Sequence, residues 1–370
     1  MPERPEVAAL EAEADRQLQI CNACRYCEGY CAVFPAIELR REFTLGDVVY
    51  LANLCHDCRA CYQACMYAPP HELAIDIPRL LSQVRVEAHR RYAWPRRAAA
   101  LVLHGGVSAG VLSALGVVLA VVMVLAVGHG GALLAAHPGP ASFYAVVPYL
   151  AMLLPALAAG LFVVGVWAGG AAGMWREAGG SRSEALSPRI WWGAVRDALR
   201  LTYLGGGGPG CFYPDAERPS RERRIQHQLV FWGFMADLVA TSAAGIEQDL
   251  LGIPPPYPIL SVPVVLGTLG GLAMIAGAAG LIAGKLRAPE RLAADELLSL
   301  DYAFLWMLIL VNASGLALLV LRATALMGPL LLAHLGFLFG LYATAPYGKF
   351  AHAAYRLTAL ALHRAEEARL

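Results

Sequence analysis

From about residue 99 onward the chain is written in long apolar runs joined by short polar links. Runs near 99–127, 144–172, 228–247, 259–283, 302–324 and 328–347 are each long enough to cross a hydrocarbon core of about 30 Å, which takes roughly 20 residues of helix. Backbone polar groups inside lipid must be satisfied within the segment, so each run is predicted to be a helix. The first 97 residues carry an ordinary load of charge instead. There GDVVYLANL, just before Cys55, has the apolar spacing of a helix and little strand alternation. After Pro78, the stretch IDIPRLLSQVRVEAHRRYAW is predicted to lead into the membrane largely as helix. The expected fold class is all-α, an N-terminal helical domain followed by a six-helix transmembrane bundle.

Charge sets the orientation. The segment 175–226 holds nine arginines, 284–300 holds Lys285, Arg287 and Arg291, and the tail holds Lys349, Arg356, Arg364 and Arg369, whereas the alternate loops near 128–143, 248–258 and 325–327 hold no Lys or Arg. The positive-inside rule then predicts both termini on the cytoplasmic side, and no apolar signal core near Met1 argues otherwise. Arg322, towards the outer side, is expected to snorkel. The predicted divisions are 1–97, a cytoplasmic domain; 98–175, two spans; 176–226, a cytoplasmic loop; 227–352, a four-helix bundle; and 353–370, a cytoplasmic tail. Within the loop, PRIWWGAVRDALRLTYL (188–204) mixes Trp and Leu with Arg, as expected of a helix on the membrane face. Gly205 to Cys211, GGGGPGC, permits close backbone approach to something, but no phosphate-loop Lys-Ser/Thr follows. Composition agrees, at 58% hydrophobic and 15% charged over 370 residues; the net charge of +1 says nothing about partners, and no nucleic-acid partner is expected.

The chemistry lies in the cysteines. Eight of nine fall into two copies of one pattern, Cys21-x2-Cys24-x2-Cys27-x3-Cys31 and Cys55-x2-Cys58-x2-Cys61-x3-Cys65. Three thiolates two residues apart can close on one cubane while the fourth reaches the other, the two-cluster ferredoxin arrangement. The expected ligand sets are Cys21, Cys24, Cys27 and Cys65 on one 4Fe-4S cluster, and Cys55, Cys58, Cys61 and Cys31 on the other. Zinc sites usually draw two short Cys pairs from separate turns, and disulfides would need an oxidising compartment. His56 follows the wrong cysteine for c-type haem attachment.

Histidines in a membrane bundle are functional candidates. His334 and His352 lie 18 residues apart, five helical turns, so both can share one face of a single last helix. His227 opens the third span on the inner side, at the depth of His352, and imidazoles on facing helices form the usual cage of a b-type haem. One haem on His227 and His352 is expected. A second, on His334, is left open because Asp237 stands ten residues after His227; His129, His137 and His104 are reserves. His334 and Asp237 could equally serve a quinone or proton site, or be satisfied bundle residues.

The stretch AHLGFLFGLYATAPYGKFAH, ending at His352, resembles the last helix of nitrate reductase gamma-type haem-b subunits. The paired cysteine runs, LGGGGPGCFYPD and RRIQHQLVFWGF make nearly the whole chain similar to the tricarballylate- or citrate-utilisation protein B family. That resemblance implies an electron-transfer subunit of a bacterial inner-membrane flavoprotein:quinone oxidoreductase system. It would reoxidise the flavin of an FAD-dependent dehydrogenase docked on the cytoplasmic side, and pass electrons through two 4Fe-4S clusters and haem b to quinone. The alternatives are a redox module of a cobalamin-pathway flavoprotein and a membrane-anchored redox sensor.

Overall fold

Helix starts in the cysteine-bearing layer are set by side chains that satisfy orphan backbone donors. The computed structural model describes residues 5–102, 105–213, 218–288 and 295–370. Its first helices are α1 (Pro5–Cys24), α2 (Val33–Glu38), α3 (Leu45–Leu54), α4 (Ala60–Ala64) and α5 (Ile77–Tyr92). Thr44 and Asp47 form a reciprocal capping box on α3, and Asp76 caps α5 by accepting from the Arg79 amide at 3.1 Å, with Pro78 in the first turn. A short α6 (Arg96–Val102) precedes α7 (Gly106–Ala126). The chain continues through α8 (Tyr149–Glu177), α9 (Arg182–Ala185), α10 (Pro188–Arg200), α11 (Glu222–Asp249), α12 (Val262–Arg287), α13 (Asp295–Leu321), α14 (Met327–Thr344) and α15 (His352–Arg369). No strand occurs among the described residues.

Six helices, α7, α8 and α11 to α14, are long and apolar enough to cross a membrane, and the chain is a multi-pass membrane protein. On α7 the exposed Val107, Val111, Leu115, Val118, Val122 and Leu125 recur at helical spacing and make one stripe facing outward. The opposite face meets α14 closely. A methyl group on Gly336 or Gly340 would stand within 2.3 Å of Val117 or Ser113 respectively, the small-residue contact by which helices associate without a hydrophobic drive between them.

The last span departs from the sequence pattern. His334 and His352 do not share one helix, because α14 stops at Thr344 and a new helix, α15, starts at His352. Pro346 cannot donate an amide, and the chain turns at Tyr347 and Gly348, whose amides both bond the Thr344 carbonyl. His334 therefore sits inside α14 while His352 opens the next helix.

α15 then runs into the cysteine-bearing layer and not along its surface. Tyr355, Ala359, Leu360, Leu362 and Ala365 pack in one core with Leu18 of α1, Val33 and Ile37 of α2, Tyr50 and Leu54 of α3, Leu81 of α5, Met174 of α8 and Ile190 of α10. Glu366 fixes the end of that helix, accepting from the buried Tyr50 hydroxyl at 2.8 Å and pairing with Arg40 at 2.5 Å. Arg364 donates from both Nε and Nη2 to Asp197 Oδ2 of α10.

Candidate cofactor centre

Both cysteine runs follow from where helices stop. Cys21 and Cys24 occupy the last turn of α1, which breaks at Arg25 with a φ of +54°; Cys55 caps α3, Cys61 lies on α4 and Cys65 caps it. Asp57 and Arg59 flank Cys58 at φ +51° and +60°, so the loop coils tightly enough to turn successive thiols inward. Cys21, Cys24, Cys27 and Cys65 line one cavity together with Phe34 and Tyr67. Cys31 lies instead beside Cys55 and Cys58, and Cys61 beside Cys55, Cys31 and Cys58. All nine cysteines are free thiols. Burial, with the neighbouring thiols, pushes Cys21 up to about 12, and burial pushes Cys27 and Cys58 up to about 11, so uncoordinated they are neutral and only a strong positive centre would ionise them. Among the described residues no three His, Cys, Asp or Glu side chains converge as on a single ion. The first group faces outward, with Cys24 exposed and Tyr26 and Met66 each more than half exposed, whereas Cys55 of the second is buried.

Behind the second group stand two imidazoles. His227 on α11 and His352 at the start of α15 lie with ring centres 6.3 Å apart and planes at 86°. His352 Nδ1 is 2.5 Å from the Lys349 carbonyl, and His227 Nδ1 is buried with no partner. Burial and the Lys349 cation hold His352 well below its usual value, keeping it neutral. Lys349 and Lys285 flank the buried Asp301 at 2.7 and 2.5 Å.

Arginines join the imidazoles to the thiols. Arg223, one turn before His227, donates to the Asp57 carbonyl at 2.6 Å, and Arg356, one turn after His352, donates to the Cys55 carbonyl at 2.8 Å. Arg85 of α5 donates to the same Cys55 carbonyl at 2.8 Å and to Ala52. Burial and the Arg85 charge push Arg356 down to about 9, the mark of a cation crowded by others. Sequence reasoning passed over both Arg223 and Arg356, although their mirrored spacing, four before one histidine and four after the other, is visible in the chain.

The glycine loop closes the same centre. A methyl group on Gly207 would fall 1.2 Å from the Tyr30 carbonyl oxygen, next to Cys31, and Gly208 lies over the Tyr30 ring. Phe212 donates its amide to the Cys58 carbonyl at 2.9 Å, and Cys211 is buried in contact with Cys58. The loop is thus a cover over the seam between the two cysteine runs. His89 on α5 is 3% exposed, beside Tyr355, with both ring nitrogens buried and unpartnered.

Other candidates lie elsewhere. His334 Nδ1 bonds Ser314 Oγ at 2.9 Å, and Asp237 Oδ1 is buried without a partner, against Gly270 of α12. His129 and His137 bond the carbonyls of Val146 and Ala132, and His56 bonds that of Leu54. His104 lies outside the described residues. Arg322 donates to the Tyr257 carbonyl at 2.7 Å.

Fold and site together define a multi-pass membrane protein that carries a ferredoxin-like cysteine domain. A family model for the Citrate utilization protein B Fer4-like domain matches residues 14–91, and one for Citrate utilization protein B matches residues 103–370. The chain belongs to the citrate utilization protein B family. It is 42% identical over 354 residues to Citrate utilization protein B of Escherichia coli, covering 95% of this chain and 91% of that one. No solved structure matches.

Proposed function

We propose that the chain is a membrane electron carrier, taking electrons from a reduced flavoprotein and delivering them to a quinone in the bilayer. The observation that carries this reading is the double tie between the second cysteine loop and the histidine pair, through Arg223 and Arg356. Iron–sulfur clusters and a b-type haem supply one-electron transfer when bound. The donor sets fit them. Cys21, Cys24, Cys27 and Cys65, which ring one cavity, would hold one 4Fe-4S cluster, and Cys55, Cys58, Cys61 and Cys31, which lie beside one another, the other.

His227 and His352 would hold the haem. Their ring centres, 6.3 Å apart, would leave room for a metal centre held between the two imidazoles, and a haem held there would supply one-electron transfer. The bond from His352 to Lys349 fixes the ring by its second nitrogen, as metal-bound histidines are usually fixed. His334 has Ser314 for a partner, so its burial calls for no second haem; one haem per chain follows from this reading.

The exposed first group supports entry of electrons there, from a flavoprotein docked over Cys24, Tyr26 and Met66. The arginine-rich links support a bacterial inner membrane with that surface in the cytoplasm. The relative's name concerns citrate utilization, and the flavoprotein we have in mind dehydrogenates a citrate-like tricarboxylate such as tricarballylate. Membranes holding the chain and that flavoprotein should reduce added quinone when substrate is supplied. Cys58→Ser should abolish this, and undiminished quinone reduction by the variant would overturn the reading.

A further inference from the structure

Three guanidinium groups converge on the short loop Cys55 to Cys58. Arg85 is buried and donates to the Ala52 and Cys55 carbonyls; Arg356 donates to Cys55, and Arg223 to Asp57. One carboxylate, Asp57, shares that ground, buried and with Oδ1 unpartnered. The charge on the loop is therefore strongly positive before any cofactor is counted. Beyond Asp57, negative compensation would come from four thiolates, those of Cys55, Cys58, Cys61 and Cys31. Among the described hydrogen bonds no such convergence is seen at the other group: the backbone of residues 21–31 receives a guanidinium only from the exposed Arg25, on the Asn22 carbonyl.

The asymmetry has an electrostatic meaning. Adding an electron to a tetrathiolate cubane increases a net negative charge, and burial penalises this more than exposure does. On burial alone, the cluster next to the histidine pair would be the harder of the two to reduce, and electrons delivered at the surface would stay there. Resting on the relay reading, we propose that Arg85, Arg223 and Arg356 are potential-setting residues: they raise the reduction potential of the cluster held by Cys55, Cys58, Cys61 and Cys31 until it is at least as easily reduced as the outer one. Cluster potentials respond to local charge and solvent exposure, and these cations act from fixed positions because each is locked onto a carbonyl. The i−4 and i+4 placement of Arg223 and Arg356 about His227 and His352 means that the same two helices which would present the haem also set the potential of its donor.

The test is an electron-paramagnetic-resonance redox titration of the full, iron-loaded chain in detergent, with Cys24→Ser used to assign the outer signal. In the parent protein the inner cluster should titrate at a potential no lower than the outer one. Arg356→Gln and Arg223→Gln, on different helices so that misfolding of one leaves the other, should each lower the inner potential. The expected size is about a tenfold fall in the reduced-to-oxidised ratio at fixed potential, about 59 mV for one electron, with the outer signal unmoved. Arg356→Lys and Arg223→Lys should retain most of the parent value. An unmoved inner potential, or equal shifts in the Gln and Lys variants, would overturn the proposal. A parent protein lacking two cluster signals would overturn the relay reading itself.

Discussion

Gly207 shows how narrowly one residue can be constrained by a partner far off in sequence. Its Cα stands against the Tyr30 carbonyl so closely that no side chain fits. Gly207→Ala should cost about 1–3 kcal/mol in overpacking and lift the loop from the cysteine seam. Iron content per chain after air exposure, followed by absorbance, should fall several-fold faster than in the parent. The run of glycines was legible as a site of close approach; what they approach was not, because Tyr30 and Gly207 are brought together only by the assembled layer. His89 too is buried only by the assembled layer. Burial holds it down at about 3, below the unperturbed value near 6.5. Between those two values the unfolded chain binds a proton that the folded one refuses. The stability of the cysteine-bearing layer should therefore fall as pH drops below about 6.5, with a limiting slope near 1.4 kcal/mol per unit for this one group. His89→Phe should flatten that slope in denaturant titrations at pH 5 and 7; an unchanged slope would assign the acid sensitivity elsewhere.

Among the elements, the break between α14 and α15 matters most for the candidate site. Six apolar runs were plain in the sequence because lipid demands length and hydropathy of every crossing helix. The break was not inferred, although its cause, Pro346 followed by Gly348, was in view; apolar composition carries on through the turn and hides it. Its effect is to give His352 an independent helix start and to anchor its ring on Lys349. The pairing of depth that led to His227 and His352 depended on topology alone, which is why it could be read before any contact was known. The cysteine spacing was readable as two copies of one pattern, and the structure places Cys65 with Cys21, Cys24 and Cys27, and Cys31 beside Cys55 and Cys58. On the proposed function, His227→Ala and His352→Ala should each abolish the b-type absorbance measured by pyridine haemochrome, which should report about one haem in the parent, while iron bound to the cysteine layer stays within about a fifth of its normal amount. Full haem content in either variant would remove that histidine from the ligand set.

Across the molecule, α15 belongs to the cysteine-bearing layer as much as α1 does. Its buried face completes the core that backs Cys55, and Arg356, Arg364 and Glu366 tie it to α3 and α10. A chain grows from its amino end, so the cysteines are made first and the helix that seals them last, after all six crossings have been threaded. The early segment must wait, incomplete, while the membrane part is laid down. On the proposed function, a closed layer around the clusters would exist only once synthesis has run through to residue 366, which would place cofactor loading late in assembly and tie it to a correctly inserted bundle.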